Sequence, residues 1–479
     1  MFGLMEIQEL LSSYSNLYPD MQVGIVPTVL LPLAFLSTGI SVVATFVAGL
    51  FGVKLKAEGP RKLLELLLRP RILISAMILN AVIFFGYKGY EHIKNGPVPL
   101  KVQSFMNSNI EFLKAPLAKS NGLHWEQNIG EGIFASGKIV GKELFVGTKE
   151  GHLYVVNLEN GKVTNKIFFG KFLSPTPVLY KGYLFFGEGL HASHHMRVYK
   201  FDPMSKKIVG AYKTKGHTEI FPVMADLGGK DYLYQAAGSD GLHAIDPISL
   251  KKRWHFKDGH MDAFSLIDGN DLYIASGVPK EEIGIKRPYA YKLNAMTGKL
   301  IWKKELPLSS WYGPIKSGKN ICFIQGELHV KSQIGGLNCF SPSGERLSSV
   351  IIESPVIGKP LVSGENIIFN DFNGGVYSWN SSSGVMNWKY AGEKKGIKYS
   401  YSSVQYRNDG NLIFINPRGS IAHLNIDSGK VLKLELFKKG EAVFADPLVL
   451  ESGYIVFGMK GSIKFYKKAA MPESKVVLQ

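Results

Sequence analysis

Catalytic signatures are missing from this sequence of 479 residues. It has no nucleophile elbow and no glycine loop suited to cradling phosphate, so hydrolytic or nucleotide-driven chemistry has no motif to rest on. Cysteine is almost absent: Cys322 and Cys339 are the only two, 17 residues apart. Met1–Asp20 contains no lysine or arginine, so the basic start of a cleavable secretory signal is lacking and the segment is expected to be retained. Acidic residues are also short, 39 against 56 basic ones, for a net charge of +17. Residues 1–100 hold 8 basic and 6 acidic side chains, which leaves about +15 on the remainder. Scattered lysines on a solvated surface account for such a balance, and so does a patch for an acidic partner or anionic lipid headgroups. No DNA- or RNA-binding signature accompanies the charge, and no nucleic-acid partner is expected.

What is present is a repeat. Residues 216–257 divide into four strands: Ile220–Asp226, Asp231–Ala237, Leu242–Asp246 and Lys251–Lys257, separated by Leu227-Gly228-Gly229-Lys230, Gly238-Ser239-Asp240-Gly241 and the turn at Pro247–Leu250. Such a unit cannot bury both faces alone, so it implies copies. With Asp246 as the mark, equivalents are Asn157, Asp202, Asn294, Ser341, Asn380, Asn425 and Tyr466, spaced by 39 to 48 residues. That range suits the four-stranded blades of a propeller. A turn follows the mark in several copies, as in Asn160-Gly161-Lys162, Thr297-Gly298-Lys299, Ser383-Gly384-Val385 and Ser428-Gly429-Lys430, with outer-strand tryptophans at 254, 302 and 388. Gly 52 and 12% aromatic residues suit many short strands and tight turns, and leucine-rich helical repeats are not expected.

Ahead of the repeats lies a different kind of sequence. After a short extracytoplasmic segment, 1–22, residues 23–88 are expected to form a transmembrane helical hairpin. Val23–Val53 has no charged residue and exceeds the roughly 20 residues needed to cross a bilayer. Ser37, Ser41, Thr45 and Gly49 recur every fourth position, a small-residue ridge for helix packing, although lipid contact would also tolerate them. Ile72–Tyr87 is the second apolar stretch, with Asn80 near its middle seeking a hydrogen bond to another helix. In the loop 54–71, Lys54, Lys56, Arg61, Lys62, Arg69 and Arg71 outnumber Glu58 and Glu65, which by the positive-inside rule makes the loop cytoplasmic and the repeats extracytoplasmic. Residues 89–122 read as a stalk, with a short helix around Met106–Lys114, and 469–479 as a disordered tail.

The repeats occupy 123–468. Leu123–Ile129 reads as an outer strand without the three that should precede it, and Glu441–Lys468 as three strands without a fourth. Joined, they close an all-β, eight-bladed propeller of four-stranded antiparallel blades with no exposed sheet edge. Cys322 and Cys339 then fall in neighbouring strands of the fifth blade, and two buried thiols are expected in preference to a disulfide.

The segment Asn294-Ala295-Met296-Thr297-Gly298-Lys299-Leu300-Ile301-Trp302 resembles the repeat of quinoprotein-type (PQQ-like) propellers. The resemblance covers about 123–468 and does not extend to the membrane hairpin. It implies two kinds of function: pyrroloquinoline-quinone oxidoreductases, and the propeller lipoprotein of the outer-membrane β-barrel assembly machine. Such dehydrogenases carry adjacent cysteines over the cofactor and a calcium held by carboxylate and amide oxygens. Adjacent cysteines are absent here, as is a lipidation cysteine at the N-terminus. The expectation is a scaffold anchored in the bacterial inner membrane with its propeller in the periplasm, binding an envelope protein. No cofactor is expected. A quinoprotein oxidoreductase with PQQ, or a ligand- or metal-sensing propeller, are the alternatives.

Histidines supply the candidate site. Seven of the twelve lie between His191 and His260. His191, His194 and His195 fall in the loop between second and third strands of blade 2. His217 with Glu219, and His260 with Asp262, fall at two successive blade junctions, Trp311 and Tyr312 at the next, and His329 in a hairpin loop of blade 5. In an antiparallel blade these loops share one face, so all are expected on one rim. His217, His260, Glu219 and Asp262 suit a divalent transition metal, and the aromatic pair suits an organic ligand or a peptide side chain. Strand capping and bracing between blades would use the same residues.

Overall fold

In a computed structural model, the structure describes residues 122–467 apart from 174, 192, 328–333, 393–401, 408, 417–418 and 438–440. The expected membrane hairpin with Ser37, Ser41, Thr45, Gly49 and Asn80, the stalk, the tail and His329 lie outside the described residues. Among the described residues, no helix is long and apolar enough to cross a membrane.

Eight four-stranded antiparallel sheets make up the described chain. Seven are built from consecutive strands and form blades 1 to 7 at 138–168, 178–213, 223–256, 266–305, 315–352, 361–390 and 405–436. The eighth is composite: Leu448–Leu450, Gly453–Phe457 and Ser462–Lys467 are completed by Leu123–Asn128, which pairs antiparallel with Ser462–Lys467. The middle strands are largely buried because a neighbouring blade covers each face; in blade 1, Glu143–Gly147 and His152–Asn157 are mostly buried while the outer strand Val163–Phe168 is largely exposed.

The core is divided among the blade interfaces. Among the described residues, eight clusters of buried apolar residues occur, one between each pair of neighbouring blades. Between blades 3 and 4, for example, Tyr234 and Leu242 pack with Leu272, Ile274 and Tyr291. The cluster that closes the ring joins Trp125, Ile455 and Phe465 of blade 8 to Leu144, Val146 and Val156 of blade 1.

The repeated turn and tryptophan are two halves of one contact. Asn294 Oδ1 accepts the amides of Met296 and Thr297 at 3.1 and 3.0 Å, folding the turn so that Gly298 adopts φ 72. A Cβ on Gly298 would lie 2.6 Å from the Trp254 ring, whose Nε1 donates to Ala295 O at 2.9 Å. The outer tryptophan of one blade therefore lies against the glycine turn of the next. Trp125 repeats this with Leu158 O and Gly161, Trp302 with Pro342 O and Gly344, and Trp388 with Ile426 O and Gly429. The motif is thus a latch between blades, which explains why turn and tryptophan recur together.

Two readings change in detail. The first strand of blade 3 begins at Val223 rather than Ile220, because Pro222 has no amide to give a ladder. Cys322 and Cys339 are directly opposed across the second and third strands of blade 5 and are joined as a disulfide, where two free thiols were expected. Sequence spacing places the two strands together but leaves open whether the cysteines are in register, and register decides the bond.

Polar groups also brace the interfaces. Glu435, buried on the outer strand of blade 7, is 3.2 Å from His423 Nε2 and 2.5 Å from Lys433 Nζ, and accepts the Tyr454 hydroxyl of blade 8 at 3.1 Å. Burial alone would raise its pKa, but His423 and Lys433 outweigh that and bring it down from 4.5 to about 2. A carboxylate depressed in the folded state contributes stability that is complete above its unfolded pKa and is lost as pH falls through the folded value. Glu435→Gln should therefore melt several degrees lower than the parent at pH 7, with the gap closing as pH approaches 2. Thermal melts of both proteins across that range check this, and a gap independent of pH would refute it.

Candidate functional site at the ring face

The loops between second and third strands and the blade-to-blade junctions share one face and are stitched together by backbone bonds. Met196 N donates to Gly216 O at 3.1 Å, Thr218 N to Glu188 O at 3.1 Å, and Gly277 N to His260 O at 2.9 Å. Gly238 and Met261 exchange two bonds of 2.9 Å. Missing side chains permit these approaches: a Cβ on Gly187 would lie 1.9 Å from Thr218 O, and one on Gly216 would lie 2.0 Å from Ala237 O. The junctions carrying His217 and His260 are consequently fixed in place.

Asp262, 3% exposed, is the hub of the site. His217 Nε2 lies 2.7 Å from its Oδ1, His260 Nε2 2.8 Å from its Oδ2, and His191 Nδ1 3.5 Å from its Oδ2. Glu219 Oε1 is 3.3 Å from the same His191 nitrogen. The Trp311 ring stands edge-on to His191 and His260, at centroid distances of 6.3 and 6.2 Å. His217 and Asp262 are buried, whereas the His191 side chain is 63% exposed and closes the group on the solvent side.

The charges in this cluster pull against one another. Burial would raise the Asp262 carboxyl, yet hydrogen bonds from His191, His217 and His260 hold it well below the usual carboxylate range. Glu219 goes the other way, raised by burial and by the charge of Asp262 beside it. His191 is lifted to about 9, chiefly by its hydrogen bond to Asp262. His217 is also raised, since Asp262 outweighs the opposing effect of burial.

The structure therefore brings together His191, His217, Glu219, His260, Asp262 and Trp311 from three junctions and one hairpin loop. His194 and His195 are exposed on the same loop as His191 and do not join the cluster. Tyr312 turns toward the ring axis instead, 5.1 Å from Phe264 and 6.4 Å from Phe221. Its hydroxyl reaches Ser403, from the junction of blades 6 and 7, and burial pushes its pKa well up. Side chains from non-adjacent junctions meet only near the axis. Phe134, stacked on Phe444 at 5.3 Å and edge-on to Phe172 at 5.2 Å, belongs to the same set of junction aromatics. Sequence reasoning missed these phenylalanines. A signal was present: Gly216-His217-Thr218-Glu219-Ile220-Phe221 and Gly259-His260-Met261-Asp262-Ala263-Phe264 share Gly-His-x-acid-x-Phe.

A second group, Asp240, His243 and His255, lies in blade 3. Its polar atoms are already engaged: Asp240 Oδ2 accepts the Lys215 amide at 2.8 Å and faces His243 Nε2 at 3.0 Å, while His243 Nδ1 meets the Tyr212 hydroxyl at 3.0 Å. Burial first, then the neighbouring His255, pushes His243 down to about 4, which keeps it neutral. This network braces the blade.

Fold and repeat together define an eight-bladed propeller whose repeat resembles that of PQQ-like propellers. The family model described as outer membrane protein assembly factor BamB matches residues 286–449. BamB from Moraxella catarrhalis superposes with a TM-score of 0.55 at 12% identity, covering 72% of this chain and 99% of that one. The computationally designed Ika8 protein superposes at 0.53, also with 12% identity, covering 72% of this chain and 98% of that one. At such identity the likeness is one of fold. No curated protein matches the sequence.

Proposed function

We propose that this chain is a membrane-anchored, extracytoplasmic scaffold that binds a protein of a cell-envelope complex through the ring face carrying His191, His217 and His260. The observation that carries this reading is the face itself: junction and hairpin loops locked to one another by backbone bonds on a closed ring, a surface that loses little conformational freedom on binding. Likeness to a family described as an outer-membrane assembly factor supports the scaffold role. The Cys322–Cys339 disulfide supports an oxidising compartment, since cytosolic thiols are kept reduced. Val23–Val53 and the basic loop 54–71 supply the anchor and its orientation. The cysteines do not fit the quinoprotein oxidoreductase pattern, because they are cross-strand partners in blade 5 rather than sequence neighbours.

In intact membranes, a photo-crosslinking residue at exposed position 194 should give one dominant adduct with an envelope protein, and the same residue at outer-strand position 209 should give none. Equal labelling at both positions, or none at either, would remove the ring-face reading. The compartment is tested separately by alkylating Cys322 and Cys339 in denatured whole cells. Both should resist the reagent until a reductant is added, and reaction before reduction would place the propeller in a reducing compartment.

A further inference from the structure

The geometry points to a metal site: we infer that His191, His217, His260 and Asp262 together hold one divalent transition-metal ion of the zinc class. One ligand atom from each of the four lies within 4.8 Å of the others. The rings are set for convergence, with His191 and His217 centroids 5.6 Å apart and His217 and His260 5.4 Å apart. Three imidazole nitrogens and one carboxylate oxygen match the donors and coordination number that zinc takes, without requiring thiolate.

Charge balance gives an independent reason. Two carboxylates, Asp262 and Glu219, sit within this cluster. With all three imidazoles neutral the group carries two negative charges, and one dication neutralises it. Without the ion, a proton must bridge each nitrogen–oxygen contact, so proton-bearing rings crowd a single carboxylate. Zinc–nitrogen bonds of roughly 2.0–2.1 Å need the ligand atoms about 3.3 Å apart. His217 Nε2 lies 2.7 Å from Asp262 Oδ1 and His260 Nε2 2.8 Å from Oδ2, so each contact opens by about half an ångström and the carboxylate turns to present one of its two oxygens to the ion. His191, exposed to solvent, supplies the entry side.

The site goes beyond the scaffold reading and does not depend on it. The test uses the full-length chain in detergent, stripped with chelator and titrated with Co²⁺ and then Zn²⁺. One equivalent of Co²⁺ should bind with the strong visible absorption of a tetrahedral nitrogen–oxygen site, and one equivalent of Zn²⁺ should displace it. The H191A/H260Q variant should bind at least about 10- to 100-fold more weakly, a loss already produced by removing a mere supporting residue. Its circular dichroism in chelator should match that of the parent even where the loss of two partners of Asp262 lowers the melting temperature, which separates lost ligands from lost fold. H243A/H255A, in the braced group of blade 3, should keep the full spectrum. No binding by the parent, undiminished binding by H191A/H260Q, or binding lost only in H243A/H255A would each overturn the assignment.

Discussion

Deleting Leu123–Asn128 is expected to cost more stability than any single substitution in the propeller, because it removes both an outer strand and a latch. Trp125 is 7% exposed, packs within the cluster between blades 8 and 1, and donates to Leu158 O at 2.9 Å. Losing a buried tryptophan alone costs about 3–5 kcal/mol. At roughly 2–4 °C per kcal/mol for a large domain, the melting temperature should fall by about 10 °C or more. A second effect is diagnostic of closure: Ser462–Lys467 would become an exposed edge, free to pair with another molecule. Size-exclusion chromatography of the deleted chain should therefore show concentration-dependent oligomers. Trp125→Ala, which keeps the strand, should show the loss of stability without the association. A deletion that melts with the parent and stays monomeric would show that the ring does not close through this strand.

Legibility of the fold followed from how local its marks are. Asn294, Gly298 and Trp254 act within one turn and its neighbouring blade, so their recurrence in sequence maps directly onto recurrence in space. The composite blade was readable for the same reason, as an outer strand missing its three partners. What escaped depends on register and on irregular backbone. The cysteines needed the alignment of two strands to within one residue. His194 and His195 needed the path of a loop in which Gly189 and His195 both take left-handed φ, at 88 and 57, so that no period tells where a side chain points. His217, His260 and Asp262 could be placed on one face from strand direction alone. That their atoms converge follows from close backbone approaches that only the three-dimensional path reveals.

One of those approaches gives the second large effect: Gly187→Ala should damage the histidine cluster from outside it. Gly187 ends the second strand of blade 2 with an ordinary backbone angle, so the issue is space. A Cβ there would sit 1.9 Å from Thr218 O and 2.5 Å from Thr218 Oγ1. Thr218 cannot readily yield. Its buried hydroxyl donates to Arg197 O at 2.8 Å, with Glu188 O 3.0 Å away as the alternative acceptor, and accepts the Glu188 amide at 2.8 Å. Pushing it aside breaks bonds to buried groups in addition to the overpacking cost of about 1–3 kcal/mol. Thr218 also lies between His217 and Glu219, so any shift carries both away from Asp262. Gly216→Ala should produce the same defect from the other side, where a Cβ would meet Ala237 O at 2.0 Å. In both variants, hydrogen exchange should rise in a peptide spanning 214–222, including the Thr218 amide now bonded to Glu188 O. The melting temperature should drop by several degrees, whereas His194→Ala, on the same rim but outside the cluster, should leave both measurements near the parent's. Unchanged exchange across 214–222 in Gly187→Ala would mean that the junction tolerates the added carbon, and that the glycines are not what holds His217 against Asp262.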